Sequence, residues 1–277
     1  MQKTTKIFVS VIVVAALCAV AAGVVFYDED SEGDHVYDGA LLIEDNTGAY
    51  FWVHGDGDDF ADVLTYVDGN RGFDAEYTVT DGVMTVTSVN GLANYDTSYW
   101  AAYYYKTGEW HAVDSLSDIC TDDYGCAALF YVETEDDEIT AGGPDYVTVP
   151  DVNKQAFFSG SDDDFVFAIQ SYSGMYFYLN GHGDDALTAL NDAAEDYALP
   201  LTVTDGAVDT IFGLSSWTLY TSDNGSAWAS TDSALSAISE DSVDAIAIVC
   251  TTNSTADVAD VPIYSEDDDD DDDDDDD

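Results

Sequence analysis

Outside the acidic tail, the run that most resembles a metal loop is His54-Gly-Asp-Gly-Asp-Asp59, whose alternating acids invite comparison with a calcium loop. That chemistry fails on spacing. The fifth ligand position falls on Phe60, and the run recurs downstream as Asn180-Gly-His-Gly-Asp-Asp185, with its ligand types changed. The pattern suits another task. Glycines turn the chain, and Asp58/Asp59 or Asp184/Asp185 then accept from the free N–H groups that begin a helix. The histidines are His35, His54, His111 and His182. His54 is matched by Asn180, His182 by Asp56 and His111 by Ala229, so no histidine site is repeated. HExxH, CxxC, GxSxG and P-loop spacings are absent from the sequence, and no carboxylate pair stands out as an acid–base couple. Neither catalysis nor a metal site is expected.

Cysteine and aromatic chemistry remain. Cys120 and Cys126 are close enough for a loop-pinning disulfide in an oxidising compartment. Cys250 ends an apolar strand and reads as a buried thiol. Aromatics crowd Tyr95–Trp110, where alternating faces cannot all be core. Tyr99, Tyr104, Trp110 and, downstream, Trp228 are the candidate ligand contacts, because Tyr and Trp offer an apolar body with a polar tip. The repeated Trp100 and Trp217 read as core.

The elements that must position these residues occur twice. Gly48–Leu64 reads GAYFWVHGDGDDFADVL and Gly174–Leu190 reads GMYFYLNGHGDDALTAL. Thr78-Val-Thr-Asp-Gly82 returns as Thr202-Val-Thr-Asp-Gly206, and Gly91-Leu92 as Gly213-Leu214. Trp100 with Tyr103 returns as Trp217 with Tyr220, Trp110 as Trp228, and Ala128–Val132 aligns with Ala245–Val249. Self-similarity of this kind dictates two units. In the first, strands are expected at Ala40–Ile43, Ala49–Val53, Phe73–Val79, Val83–Val89, Tyr99–Tyr105 and Ala127–Val132, with hairpin turns at Asp45-Asn-Thr-Gly48 and Lys106-Thr-Gly-Glu109. Phe60, Val63, Leu64 and Val67 form the stripe of a helix lying on a sheet, as Leu187, Leu190 and Ala194 do in the second copy. This is an α+β arrangement of two tandem repeats, each a mostly antiparallel sheet with one helix. Each repeat is expected to hold its own core and to fold alone.

Composition sets the partners. The 277 residues carry 58 acids against 5 Lys and Arg, a net charge of −53. Such a surface repels phosphates, so nucleic-acid binding is excluded. It suits high salt or abundant divalent cations, which screen self-repulsion. Lys3 and Lys6 precede an uncharged apolar run from Ile7 to Tyr27, long enough at ~1.5 Å per residue to cross a ~30 Å bilayer core. Lysines before it and acids after it place the remainder outside the cell. An uncleaved single-pass anchor is favoured over a signal cleaved after Ala19-Val-Ala21, which would leave a secreted protein. The chain then divides into a 1–27 anchor or signal segment, a 28–36 acidic stalk, a 37–135 first domain, a 136–162 linker, a 163–252 second domain, and a 253–277 stalk and poly-Asp tail. Asn224 and Asn253 fit N-x-S/T and are expected glycosylation acceptors.

The hairpin, the Gly-x-Gly helix start, Thr85-Val-Thr-Ser-Val-Asn-Gly-Leu92 and Tyr99-Trp100 with its aromatic strand together resemble the transcobalamin C-terminal-like domain. This family, also known as DUF4430, occurs in bacterial and archaeal surface proteins. The second copy departs in Thr210-Ile-Phe-Gly-Leu214 and in lacking a Tyr before Trp217. The resemblance implies a β-grasp-like fold and, in some members, contact with a corrinoid; no cofactor is implied by the residues themselves. The expectation is therefore a membrane-anchored, non-catalytic surface module that captures a small ligand such as a corrinoid, or a partner protein. A cleft between the repeats would favour it. The alternative is a structural, acidic envelope protein that holds cations weakly.

The tail, Glu266 followed by Asp267–Asp277, places charges ~3.3–3.6 Å apart, well inside the ~8 Å Debye length of physiological salt. Tight calcium sites need ~6–8 fixed oxygen ligands, which such a segment does not fix in place. Calcium titrated into the ectodomain should show many weak, millimolar-class ions lost on removing residues 266–277. A saturable micromolar site lost with them would overturn that expectation.

Overall fold

The computed structural model describes residues 37–68, 73–135, 138–139, 165–223, 227–239, 242–243, 245–251 and 257–263. The apolar run Ile7–Tyr27, most of the linker, Asn224, Asn253 and the acidic tail lie outside the described residues. Among the described residues, no helix is long and apolar enough to cross a membrane.

Strands β1 (Gly39–Glu44) and β2 (Tyr50–Gly55) form a hairpin around the Asp45 turn. Helix α1 (Phe60–Val67) follows. Its N-cap is Asp59, whose carboxylate accepts from Ala61 N and Asp62 N at 2.9 and 3.0 Å. The capping role expected of the Asp pair therefore falls to its second member. A small ribbon comes next, β3 (Ala75–Thr80), β4 (Val83–Val89) and β5 (Leu92–Ala93). The Asp81-Gly82 turn of β3–β4 has φ of 54° and 84°, both left-handed, as a two-residue hairpin loop requires. Strands β6 (Ser98–Lys106), β7 (Glu109–Val113), β8 (Cys126–Glu135) and β9 (Glu138–Ile139) complete the first half.

The second half comprises β10 (Phe165–Gln170), β11 (Tyr176–Gly181), α2 (Ala186–Asp196), β12 (Leu201–Thr204), β13 (Ala207–Ile211), β14 (Trp217–Ser222), β15 (Ala229–Ser230) and β16 (Ala245–Cys250). The protein is thus α+β. The first main sheet runs β2-β1-β8-β6-β7, with β9 added to β8, and the second runs β11-β10-β16-β14-β15. In each, the pair β1/β8 or β10/β16 is parallel and the other pairings are antiparallel. Register refines one alignment. Leu42 faces Trp52 and Ala128, while Ala168 faces Tyr178 and Ala247, so Ala128 matches Ala247 rather than Ala245. The slip is two residues, which leaves every side chain on the same face.

The repeated Gly-x-Gly has a cause other than turning. A Cβ on Gly55 would lie 3.0 Å from Val63 O, and one on Gly181 would fall on Ala189 O. These glycines let the second strand lie against its helix; their φ values are not left-handed.

Separate cores are not what forms. One buried cluster contains Phe51, Val53, Phe60 and Leu64 of the first half together with Phe167, Phe177 and Leu190 of the second. The β1–β2 and β10–β11 turns meet across the interface, where Phe51 and Phe177 stack with centroids 5.2 Å apart. Tyr50 packs on Phe212 at 4.8 Å and donates to Ala198 O at 3.1 Å. Its counterpart Tyr176 donates its backbone N–H to Asn90 O at 3.2 Å, and Asn90 Nδ2 donates to Tyr176 O at 2.8 Å. The fully buried Asp45 binds its own turn through Thr47 N, Thr47 Oγ1 and Ala49 N, and reaches across to Ser171 Oγ at 2.6 Å and to Ser173 Oγ.

Phe177→Ala should therefore cost ~3–5 kcal/mol, the usual loss for a buried Phe. Unfolding in denaturant should remain a single transition, because the stack belongs to both halves. Two separable transitions, with that loss confined to one, would show that the halves are energetically independent.

Candidate functional site

Each half carries a cavity at the same place in its architecture. The first, about 440 Å³, lies between β4, β6, the end of β7 and the 3₁₀ turn Leu116–Asp118. Met84, Val86, Trp100 and Leu129 line its apolar side, and Asp114 and Ser115 bring side-chain oxygens to it. The second, about 370 Å³, lies between β13, β14 and the 3₁₀ turn Leu235–Ala237. Val208, Trp217, Leu219 and Ile248 match the apolar side, with Asp205, Thr218, Asp232 and Ser233 at the rim.

Local sequence builds these walls. Trp100 Nε1 donates to Leu92 O at 2.9 Å, and Trp217 Nε1 donates to Leu214 O at 2.8 Å. The repeated Gly-Leu corner and the repeated Trp are therefore one device, a bend whose carbonyl anchors an indole. Gly91 and Gly213 sit there at φ of 83° and 75°. In the first half Ser115 adds a stitch. Its hydroxyl accepts from Met84 N at 3.0 Å, donates to Met84 O at 2.9 Å, and caps its own turn by accepting from Ser117 N. One side chain thus fills the place of a strand partner on the open edge of β4 and fixes the groove's width. Tyr103 borders the same groove. Its ring turns to the opposite face of β6 beside Phe130, where burial, and secondarily the nearby Tyr99, raises its pKa.

Chemically, each groove offers an aromatic and aliphatic wall, hydroxyls and carboxylate, which fits a small neutral or cationic molecule. Among the described residues, no three of His, Cys, Asp and Glu converge on a point that could hold a metal ion.

The four aromatics singled out from sequence do not converge. Tyr99 is 39% exposed and borders the first groove along β6, but strand alternation turns its side chain to the face opposite Trp100. Tyr104 is half-buried on the other face of β6, stacked on His111 at 5.0 Å and packed on Tyr124 at 4.5 Å. Trp110 pairs with Tyr105 across β6–β7, so it points to the face opposite Tyr104. Trp228 belongs to the second half and donates Nε1 to Val261 O at 3.0 Å. Neither Tyr104 nor Trp110 is the exposed platform expected, because strand alternation sends each into a packed cluster. Trp100 is buried, as expected, and Trp217 half-buried; that they also wall a groove was not legible. The repetition of Trp and Gly-Leu was the signal that pointed there.

The cleft sought between the repeats is not where these cavities lie; each is internal to one half. The expected Cys120–Cys126 bridge is likewise not formed. Both are free thiols, Cys120 exposed beside the helix cap and Cys126 buried in the apolar face of β8 with Ala40 and Ala128. Burial pushes the Cys126 thiol up to about 12. Cys250 is buried, its Sγ 3.7 Å from Ser215 O.

Alkylation of the native protein should label Cys120 and spare Cys126 and Cys250 until denaturant is added. Because the folded Cys126 holds its proton above the ordinary value of 9.0, its contribution is complete below that pH. Stability should then fall as pH rises from about 9 toward 12, a loss that Cys126→Ser should remove. A Cys120–Cys126 disulfide in the intact mass would overturn the assignment. No protein-family model matches this chain, and no curated protein matches it.

Proposed function

We propose that the chain is a non-catalytic binding module displayed outside the cell, held at the membrane by its N-terminal segment and built from two copies of one β-grasp-like domain. The strand orders support the duplication. In each half the second, first, last and two middle strands of the main sheet lie side by side, with the first and last parallel. A helix follows the second strand in both. This agrees with the transcobalamin C-terminal-like resemblance.

The observation that carries the binding reading is the recurrence of the groove. Its wall is a Trp tied to a Gly-Leu corner in both halves, and its volume differs little between them. Packing alone needs no matched pair of open cavities. At about 440 and 370 Å³ the grooves lie near the lower end of the ~300–1,000 Å³ range of ligand sites. Each fits a sugar-sized or amino-acid-sized molecule whole, or one edge of a large ligand such as a corrinoid, with a partner protein's side chain as the other occupant. Acidic surroundings select against anions.

The net charge of −53 favours a second reading, an envelope protein whose acids hold a layer of cations and water. The two separate in a thermal-shift and calorimetric screen of the anchor-free ectodomain against neutral sugars, amines, cobalamins and calcium. The binding reading expects a ligand with about two sites per chain. Asp114→Asn should weaken one of them about tenfold, ~1.4 kcal/mol. Stabilisation by calcium or salt alone, insensitive to Asp114, would leave the envelope reading in its place.

A further inference from the structure

Each main sheet has a second apolar face, turned away from its helix. In the second half that face comprises Val166, Ala168, Tyr178, Ala247 and Val249, and the chain's own continuation covers it. Val261 is buried there; Trp228 Nε1 donates to Val261 O at 3.0 Å and Tyr178 Oη to Pro262 O at 2.7 Å. The matching face of the first half comprises Ala40, Leu42, Trp52, Ala128 and Phe130 and is equally buried. Yet among the described residues the indole nitrogens of Trp52 and Trp110 are shut off from solvent with no acceptor. Sheet register makes Trp52 the counterpart of Tyr178, and the β6–β7 and β14–β15 pairings make Trp110 the counterpart of Trp228. The orphaned donors thus stand where their counterparts are bonded by the C-terminal segment. Leaving each unbonded costs ~1–3 kcal/mol, so a pair of acceptors is called for.

The sequence contains one in the right order. Val258-Ala-Asp-Val261-Pro262 follows the last strand of the second half, and Tyr146-Val-Thr-Val149-Pro150 follows that of the first. Both place an apolar residue three positions before a Val-Pro pair, an extended dipeptide whose carbonyls remain available. The stretch from β8 to Val149 is longer than that from β16 to Val261, and the β8–β9 hairpin takes up part of the excess. Tyr146–Pro150 is also uncharged, so it can cover an apolar face without bringing carboxylates onto it.

We propose that the outer face of the first sheet is the docking surface for Tyr146–Pro150 of the same chain, with Val149 O accepting from Trp110 Nε1 and Pro150 O from Trp52 Nε1. The five tryptophans make this testable in the full-length protein, because each indole N–H gives its own amide-type NMR resonance. Val149→Asp should accelerate solvent exchange of the Trp52 and Trp110 indoles at least about tenfold, leaving Trp228 unchanged. Val261→Asp should do the reverse. Trp100 and Trp217, bonded to Leu92 and Leu214, report that the fold persists. Should Val149→Asp fail to fold, Val149→Gly is read the same way. Unchanged Trp52 and Trp110 exchange in a folded variant would overturn the proposal. So would acceleration produced by deleting residues 1–36 and not by changing Val149, since the N-terminal segment would then be the occupant.

Discussion

Everything in this molecule is arranged around the contact where two hairpin turns meet, the stack of Phe51 on Phe177 flanked by the buried Asp45 carboxylate. Two half-size α+β units each bury a limited apolar area, and small domains sit close to the margin of stability. Merging the helix-side cores through one aromatic stack gives both halves a common interior. The junction is near-symmetric, since Phe51 meets its own counterpart and Tyr50 and Tyr176 each reach the corner of the opposite half. It breaks symmetry at Asp45, where the second half has Ser171. Two carboxylates facing each other there would repel in a dry site. One carboxylate facing the Ser171 and Ser173 hydroxyls is instead bonded from both sides.

A net charge of −53 constrains what this interior may contain. Nearly all the acids must stay in water, so uncharged residues are concentrated where surfaces meet. Among the described residues Glu44 and Asp45 are buried, and Asp45 is tolerated because backbone and hydroxyl donors replace its hydration. Acids also do structural work at no burial cost. Asp59 and Asp185 sit outside the core and cap the helices that roof it. The same surface charge shapes binding, because a groove rimmed by Asp114, or by Asp205 and Asp232, favours ligands without negative charge.

The two grooves arise where the small ribbon leans away from the main sheet. Filling that angle with larger side chains would close it, but the wall residues are Met84 and Val86 on one side and Val208 on the other, all of modest size. The halves hold the ribbon differently. Ser115 stitches the first ribbon to its 3₁₀ turn, whereas Ala234 begins the matching turn in the second without a side-chain cap. The same groove is thus held by different bonds in the two halves.

The linear sequence determined the helices and their Asp caps, the hairpins and the strand faces, because these depend on spacing within a few residues. Its periodicities placed Phe60, Val63, Leu64 and Val67 on one buried stripe, and the structure has them there. Tertiary structure decided what spacing cannot encode. Whether Tyr104 and Trp110 share a face depends on β6–β7 register, and register puts them on opposite faces. Whether Cys120 meets Cys126 depends on the direction of β8, which buries the second thiol away from the first. The shared core required knowing that Phe51 and Phe177, far apart in the chain, would lie against each other. Local propensity is a property of neighbours in sequence, whereas the junction and the grooves are properties of neighbours in space.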